Sequence, residues 1–207
     1  MTDLKTLPAK ISEIITSFPT IDTVFINAGI MNSISFVDPA TSSDTTIATE
    51  ITTNLTAPLI LTRLVLPHVF ALKKPASILF TSSGLGYVPI GFYPVYCPTK
   101  AAIHSFCVAL RQQLNPVPGN QVSVIEVVPP YVDTALDARF RDQVNEAMGD
   151  HRMKPMPLDE YMDKTMATLQ GADAKDLKEV ATGFADMGVS TWRASFGKVL
   201  EGMEINA

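Results

Sequence analysis

The sequence predicts an α/β protein in which a parallel sheet is covered by helices on both faces. Three observations lead to this fold class. Short apolar segments recur along the chain, as in the TVFIN of residues 23–27 and the SILFTS of residues 77–82. Longer segments between them place apolar residues at helical spacing. The strand segments are apolar throughout and do not alternate with polar residues, which indicates a sheet that is buried on both faces.

The predicted elements alternate along the chain. In order they are a helix over residues 3–17, a strand over 23–27, a helix over 45–72, a strand over 77–82, a loop over 84–94, a helix over 95–115, a strand over 121–128, a helix over 161–169 and a strand over 179–184. Asp3 is the expected cap of the first helix. Pro58 and Pro67 are expected to bend or break the long second helix. Glycines and prolines predict the loop.

Composition and charge restrict the function classes. With 207 residues, of which 46% are hydrophobic and 18% charged, the chain is suited to one globular domain over residues 1–207. A net charge of −5 argues against a nucleic-acid or anionic-membrane surface. No uninterrupted apolar run is expected to span a bilayer. Cys97 and Cys107, without a CxxC motif or a signal peptide, predict reduced thiols in a cytoplasmic protein. The histidines show no metal-ligand spacing, so no metal site is expected.

The strongest chemical signal is the pair Tyr96 and Lys100. The two residues lie one helical turn apart, so their side chains share one face of the helix. A phenol with a pKa of about 10 is a poor base at neutral pH. A neighbouring ammonium would favour the phenolate and lower the pKa of Tyr96 toward neutrality. The alternative is that the two side chains are ordinary solvated neighbours.

Several motifs in a fixed order resemble the short-chain dehydrogenase/reductase family. They match that family's N-A-G after a strand, its helix asparagine, its catalytic serine, its Y-x-x-x-K pair and the segment after its sixth strand. In this sequence they are Asn27-Ala28-Gly29, Asn54, Ser83, Tyr96 with Lys100, and Pro129-Pro130-Tyr131-Val132-Asp133-Thr134. The resemblance covers nearly the whole chain and implies a Rossmann-like, three-layer fold.

The resemblance also implies a reaction, the NAD(P)-dependent reduction of a ketone or oxidation of a secondary alcohol. Tyr96 would exchange a proton with the substrate oxygen, and Ser83, chosen over Ser82 by the family's spacing, would hydrogen-bond that oxygen. Lys100 would lower the pKa of Tyr96 and hydrogen-bond the nicotinamide ribose. Asn54 would hold a water that links Lys100 to solvent. Hydride transfer builds negative charge on oxygen, which such donors stabilise. The implied contacts with the cofactor, NADP in preference to NAD, are Asn27, Tyr96, Lys100, Val132 and Thr134.

The sequence departs from the family at its beginning. Relatives start with a strand and a glycine-rich turn, T-G-x-x-x-G-x-G, which places the pyrophosphate at a helix N-terminus. That pattern does not occur here, and Gly84-Leu85-Gly86 lies in the serine loop. The predicted sheet therefore lacks the first βαβαβ unit and the adenine and phosphate site, and Met1 would align with an interior position of longer relatives. The strand over 23–27 would become an exposed apolar edge.

Other interpretations of single residues stay open. Asn27 could simply cap a turn after its strand. Asn54 could be a solvated helix residue or a partner of the kink at Pro58. Thr134 could cap a helix that begins at Ala135, which does not exclude contact with a cofactor.

The function classes stay open as well. Besides an enzyme, the chain could be a truncated, cofactor-free pseudo-enzyme or interaction protein, or a regulatory module. By resemblance, residues 135–171 form a substrate lid. Its methionines suit a bulky apolar ligand or simply pack helices; they are Met148, Met153, Met156, Met162 and Met166. The expected partner is a small carbonyl compound or alcohol. By resemblance, a homo-oligomer would form through the helix after Asn54 and the Tyr96 helix.

Overall fold

A single parallel sheet organises the protein. The computed structural model describes residues 2–203, so Met1 and its expected alignment lie outside the described residues. Within them the sheet has four strands in the order β1-β2-β3-β4. The strands are β1 (Thr23–Ile26), β2 (Ala76–Thr81), β3 (Val122–Val128) and β4 (Glu179–Ala181). Each strand pairs in parallel with the next one along the chain. The predicted α/β fold with a parallel sheet is confirmed.

Helices connect the strands and cover the sheet. They are α1 (Leu7–Ser17), α2 (Asp44–Ile51), α3 (Ala57–Ala71), α4 (Gly84–Tyr87), α5 (Tyr96–Leu114), α6 (Arg141–Met148), α7 (Leu158–Gly171), α8 (Phe184–Trp192) and α9 (Lys198–Gly202). Asp3 does not cap α1, which begins at Leu7 with Pro8 in its first turn. The predicted loop over 84–94 begins with the helical turn α4. Sequence patterns did not predict α6, α8 and α9, which are short.

The second helix is not broken at Pro58 or Pro67, while the alternative of a bend there stays a prediction. α2 and α3 are joined by a π-helical turn, Thr52–Thr56, into one helix of 28 residues, Asp44–Ala71. Pro58 lacks an N–H, and it follows the π turn, where the normal hydrogen-bond ladder is already interrupted. By length and mean hydropathy alone this helix could cross a membrane, a test that the core helix of a globular protein also passes. In this fold its inner face packs into the core under the sheet, through Val65 and Val69.

The apolar strands form the centre of the core, as their composition predicts. Ile78 and Phe80 of β2 are fully buried, and they pack with Ile103 and Cys107 of α5. A smaller cluster of Met31, Tyr93, Tyr96, Cys97 and Val144 lies beyond the carboxyl ends of the strands. This second cluster matters for function because it contains Tyr96.

β1 is an edge strand within residues 2–203, as expected. Its backbone pairs only with β2 in this part of the chain. Phe25 is 51% exposed, and Ile14 of α1 and Phe18, which directly follows α1, are also exposed. An apolar, unpaired strand can pair with another chain, so this edge is a site for aggregation or for strand addition.

Candidate active site

The site lies where the carboxyl ends of β1, β2 and β3 meet. The chain leaves these strands through three segments, which begin at Asn27, Ser82 and Pro129. Ligands of open α/β sheets bind in the crevice outside the carboxyl ends of the strands. A cleft of about 1230 Å³ opens there. Its lining includes Asn27, Ser83, Tyr96, Lys100, Val132 and Thr134.

Ser82 and Ser83 occupy different environments. Ser82 is fully buried, and its hydroxyl donates to Glu126 of β3 at 2.5 Å. Ser83 caps α4, where its Oγ accepts a hydrogen bond from the N–H of Leu85 at 3.1 Å. Because that bond uses only a lone pair, the Ser83 hydroxyl still has a hydrogen to donate. Of the two, Ser83 is therefore the one whose donor remains available to a ligand.

Tyr96 and Lys100 lie on the first turns of α5, and both side chains are buried. The Lys100 ammonium is 5.5 Å from the centre of the Tyr96 ring. It donates a hydrogen bond of 2.7 Å to the carbonyl of Thr81 at the end of β2. This bond places the lysine head group across the opening between β1 and β2. The interpretation as two solvated neighbours is wrong, because neither side chain is exposed.

The expectation that Lys100 lowers the pKa of Tyr96 was also wrong. Burial raises the pKa of the Tyr96 phenol well above its usual value of 10.0, and a hydrogen bond with the Ser83 side chain opposes this only in part. Buried groups resist ionisation because the anion loses its hydration. The Lys100 ammonium donates to the carbonyl of Thr81, and its charge is not among the causes of the Tyr96 shift. Tyr96 is therefore a neutral phenol at physiological pH.

Burial affects Lys100 in the opposite direction. It lowers the pKa of the ammonium from 10.5 to about 8, while the charge of Glu126 raises it. The unfolded chain therefore holds a proton at this lysine between pH 8 and 10.5 that the folded protein has lost. Raising the pH across this window must stabilise the fold, because the unfolded state binds more protons there.

We expect this linkage to be visible in a comparison with Lys100→Met. Between pH 7.5 and 9.5 the free energy of unfolding of the wild type should rise relative to that of the variant by roughly 2 kcal/mol. Urea unfolding followed by circular dichroism measures it. Lys10→Met, which removes an exposed lysine, is the control and should give the same difference at both pH values. Equal pH dependence in all three proteins would mean that the Lys100 pKa is ordinary.

Asn54 lies in the π turn Thr52–Thr56, and its side chain is buried. Its Oδ1 accepts from the N–H of Ile30 at 2.8 Å, and its Nδ2 donates to the carbonyl of Ile30 at 2.8 Å. Nδ2 also donates to Thr99 Oγ1 at 3.2 Å. The alternative of a solvated helix residue is wrong. Asn54 holds the segment after β1 against α5, and its expected role in holding a water stays a prediction.

Gly29 leaves space beside these groups. A Cβ atom at this position would lie 3.4 Å from Asn54 Oδ1 and 3.4 Å from Lys100 Nζ. Both polar atoms therefore face the volume that a side chain here would occupy. A lysine ammonium has three hydrogens, and only the bond to Thr81 is seen within residues 2–203. The hydroxyl groups of a ribose are suitable hydrogen-bond partners for two such polar atoms.

The remaining candidates lie on the rim of the cleft. Asn27 is exposed and accepts a hydrogen bond of 2.7 Å from the Thr81 hydroxyl. Val132 is half-buried and pairs with Met156 in an isolated β-bridge. Thr134 is exposed, and its Oγ1 accepts a bond of 3.3 Å from the N–H of Leu136. Thr134 does not cap a helix from Ala135, since α6 begins only at Arg141.

The predicted lid forms the outer wall of the cleft. Five methionines of residues 135–171 line it, namely Met148, Met153, Met156, Met162 and Met166. Met31, Ile90 and Tyr93 line it from the side of Tyr96. Arg141 also reaches the cleft, but its guanidinium is held by Asp133 and Asp137. The wall beside Tyr96 is therefore apolar.

Sequence analysis missed the buried polar residues that surround the site. Glu126, Glu50 and His104 are all buried, and Glu126 bonds to the residue next to Ser83. A signal existed for Glu126, which is the lone charged residue in the apolar strand VSVIEVV. No cluster of three or more potential metal ligands occurs in the part of the chain that the structure describes.

Comparison with known proteins decides the family. A sequence model of the short chain dehydrogenases matches residues 1–145. The chain belongs to the short chain dehydrogenase family. The solved structures agree on the fold: a short chain dehydrogenase from Burkholderia cenocepacia in complex with NADP superimposes with a TM-score of 0.69 and 19% identity, covering 98% of this chain and 76% of that one.

Two relatives in the short chain dehydrogenase family are similar in sequence. An uncharacterized oxidoreductase of Bacillus subtilis, DltE, is 42% identical over 127 residues, which cover 61% of this chain and 48% of that protein. A benzil reductase of Bacillus cereus, which forms (S)-benzoin, is 29% identical over 150 residues, covering 70% of this chain and 58% of that protein. The chain thus spans about half the length of the curated relatives that it matches.

Proposed function

We propose that this short chain dehydrogenase carries the catalytic residues for the NAD(P)-dependent reduction of a ketone or the reverse oxidation of a secondary alcohol. The observation that carries the proposal is the meeting of Ser83, Tyr96 and Lys100 at one wall of the cleft, from two different elements. Three such groups in a shared apolar cleft are a general signature of an active site. The site roles below belong to the proposal.

Tyr96 is the proton donor in the direction of reduction. Its neutral phenol, kept protonated by burial, would pass its proton to the oxygen on which negative charge develops. Ser83 would donate a second hydrogen bond to the same oxygen, because its bond to Leu85 uses only a lone pair of the hydroxyl oxygen. In the direction of oxidation, Tyr96 would need its pKa lowered, and the charge of Lys100 is the nearest source.

The nicotinamide end of NADP or NAD fits the residues of this cleft. When bound, the cofactor supplies or accepts the hydride. Lys100 would donate a hydrogen bond to the ribose of the cofactor in the space beside Gly29. Asn27, Val132 and Thr134 would line its nicotinamide. Residues 2–203 contain no glycine-rich turn that could bind the pyrophosphate of the cofactor. The proposal therefore concerns the nicotinamide end only.

The substrate we propose is a bulky, uncharged ketone or the corresponding alcohol. Methionine side chains adapt to irregular apolar ligands, and the lid supplies five of them. Arg141 is bound to two aspartates and offers no ready partner for a substrate carboxylate. The benzil reductase among the relatives acts on an aromatic, uncharged diketone.

A second candidate function is a binding protein that has kept the catalytic residues but no longer turns over substrate. The match to the short chain dehydrogenase model and the oxidoreductase relative favour the enzyme over it, although residues 2–203 contain no glycine-rich turn. Such turns contribute much of the affinity for dinucleotides, because their N–H groups and a helix N-terminus bind the pyrophosphate.

A cofactor titration separates the two candidates. The 207-residue chain would be titrated with NADPH and then NADH, following cofactor fluorescence, and NADP is the first to be tested. We expect binding that Lys100→Met weakens, because the lysine would donate to the ribose, and that Tyr96→Phe affects less, because it keeps the buried ring and removes one hydroxyl. Uncharged aromatic ketones would then be screened for NADPH oxidation. A folded sample that shows no binding at millimolar cofactor would favour the binding protein.

A further inference from the structure

A fully buried carboxylate in the middle of β3 has no role in the chemistry described above. Glu126 is 0% exposed, although its neighbours in the strand are apolar. An unpaired buried charge costs several kcal/mol, so a carboxylate persists in a core only with enough hydrogen-bond donors around it. The donors found here are Ser82, Tyr87 and His104; with Glu126 we call them the Glu126 cluster.

The residues of the Glu126 cluster are joined by short hydrogen bonds. Ser82 Oγ donates to Oε1 at 2.5 Å, and the Tyr87 hydroxyl lies 3.1 Å from both carboxylate oxygens. His104 Nδ1 is 2.8 Å from Oε2. Because a carboxylate only accepts, Nδ1 must carry the hydrogen. The Tyr87 hydroxyl is also 2.7 Å from His104 Nδ1, so the donors contact one another as well.

The three donors belong to the two segments that carry the proposed catalytic groups. Ser82 immediately precedes Ser83, and Tyr87 ends α4, the helical turn that Ser83 caps. The carboxylate therefore binds the Ser83 segment on both sides. His104 follows Lys100 by one turn and Tyr96 by two turns of α5. Residues one and two turns apart lie on nearly the same helix face.

α4 and α5 pack so closely that a small shift of one helix must move the other. A Cβ atom on Gly86 would lie 2.9 Å from the carbonyl carbon of Lys100 and 3.0 Å from the backbone nitrogen of Ala101. Gly86 thus rests directly on the backbone of α5 at Lys100. A shift of Tyr87, which follows Gly86, cannot be absorbed by loose packing, since protein interiors have few voids.

We propose that Glu126 is a positioning residue, whose carboxylate fixes the Ser83 segment to the helix that carries Tyr96 and Lys100. A second effect of the same carboxylate is electrostatic, because its charge raises the pKa of Lys100 against the effect of burial. Glu126 would act through other residues and touch neither substrate nor cofactor. The inference on geometry stands by itself, while its consequence for turnover rests on the proposed function.

The test compares Glu126→Gln with Glu179→Gln. The glutamine at 126 keeps the size of the side chain but loses its charge and can accept at only one oxygen. Glu179 is the matched control, because it is also a buried strand carboxylate but binds Arg111 and Arg193, away from the cleft. The readouts are the thermal unfolding midpoint and the titration of Lys100 and Tyr96, followed by NMR of 13C-labelled lysine and tyrosine, with Lys100→Met and Tyr96→Phe for assignment.

We expect both variants to unfold at lower temperature, but only Glu126→Gln to lower the pKa of Lys100 and change the Tyr96 signal. Where the wild type turns over a ketone, kcat of Glu126→Gln should fall by about 10- to 100-fold with little change in KM. An inactive wild type would count against the proposed function alone, since the titrations need no substrate.

Unchanged Lys100 and Tyr96 titrations in Glu126→Gln would overturn the positioning role and leave Glu126 as a structural group. If that variant does not fold, Tyr87→Phe and Ser82→Ala replace it, as each removes one hydroxyl that bonds to Glu126 and keeps the carboxylate. A changed Tyr96 signal in either would support the proposal, and unchanged signals in both would overturn it.

Discussion

Replacing Tyr96 with phenylalanine is expected to lower kcat for ketone reduction by about 10²–10⁴-fold, the usual contribution of a positioned general acid. The substitution removes only the hydroxyl, so the buried ring keeps its place among Met31, Tyr93 and Cys97. Cofactor affinity and the thermal unfolding midpoint should stay close to those of the wild type. Oxidation of NADPH in the presence of an uncharged aromatic ketone measures the rate.

Tyr93→Phe is the matched control for this experiment. Tyr93 lines the same cleft, and burial raises the pKa of its phenol to about 12. It lies farther along the wall and has no lysine one turn later, so its removal should lower kcat by less than about threefold, in line with a residue that donates no proton in the transition state. Equal losses in the two variants would contradict the assignment of Tyr96 as the acid and would point to a general effect on the cleft wall.

The fold could be predicted from the sequence because its strong signals are local. The apolar runs became β1 to β3 within one residue of their expected bounds, since continuous apolar segments have few alternatives to a buried strand. The helices α6, α8 and α9 span only five to nine residues, and helices this short depend on tertiary packing. The unbroken helix through Pro58 depends on the π turn before it, which sequence patterns do not reveal.

The candidate site was predictable in its residue identities and not in its electrostatics. The expected residues line one cleft, with the exception of Asn54. Asn54 does not line the cleft, but hydrogen-bonds the backbone of Ile30 in the segment after β1. The direction of the Tyr96 pKa was wrong because proximity in sequence specifies a shared helix face but not burial, and burial is the largest cause of the raised pKa. The partners of Glu126 come from two segments that lie far from it in the sequence, so only the folded structure could bring them together.

The largest effect on stability is expected from Glu179→Ala, at about 3–5 kcal/mol of unfolding free energy. Glu179 of β4 accepts from Arg111 of α5 at 2.9 Å and from Arg193, so it links the sheet to two helical segments. Burial raises the pKa of Glu179, but the two arginines outweigh this and hold it below its usual range. Without the carboxylate, the hydrogen bonds that the buried Arg111 keeps among residues 2–203 are those to the backbone carbonyls of Val124 and Lys178. A cation left in a low-dielectric region is costly, and the loss is large beside a typical stability of about 5–15 kcal/mol.

Urea unfolding followed by circular dichroism measures this loss, with Glu160→Ala as the control. Glu160 pairs with Lys164 at 2.6 Å on α7, but both side chains are about half exposed. Water screens that pair, so its removal should cost no more than about 0.5 kcal/mol. A loss at Glu179 as small as that at Glu160 would show that Arg111 reaches water or another acceptor once the carboxylate is gone. The difference between the two variants therefore reports how firmly β4 is held to α5, on the side of the sheet away from the exposed edge β1.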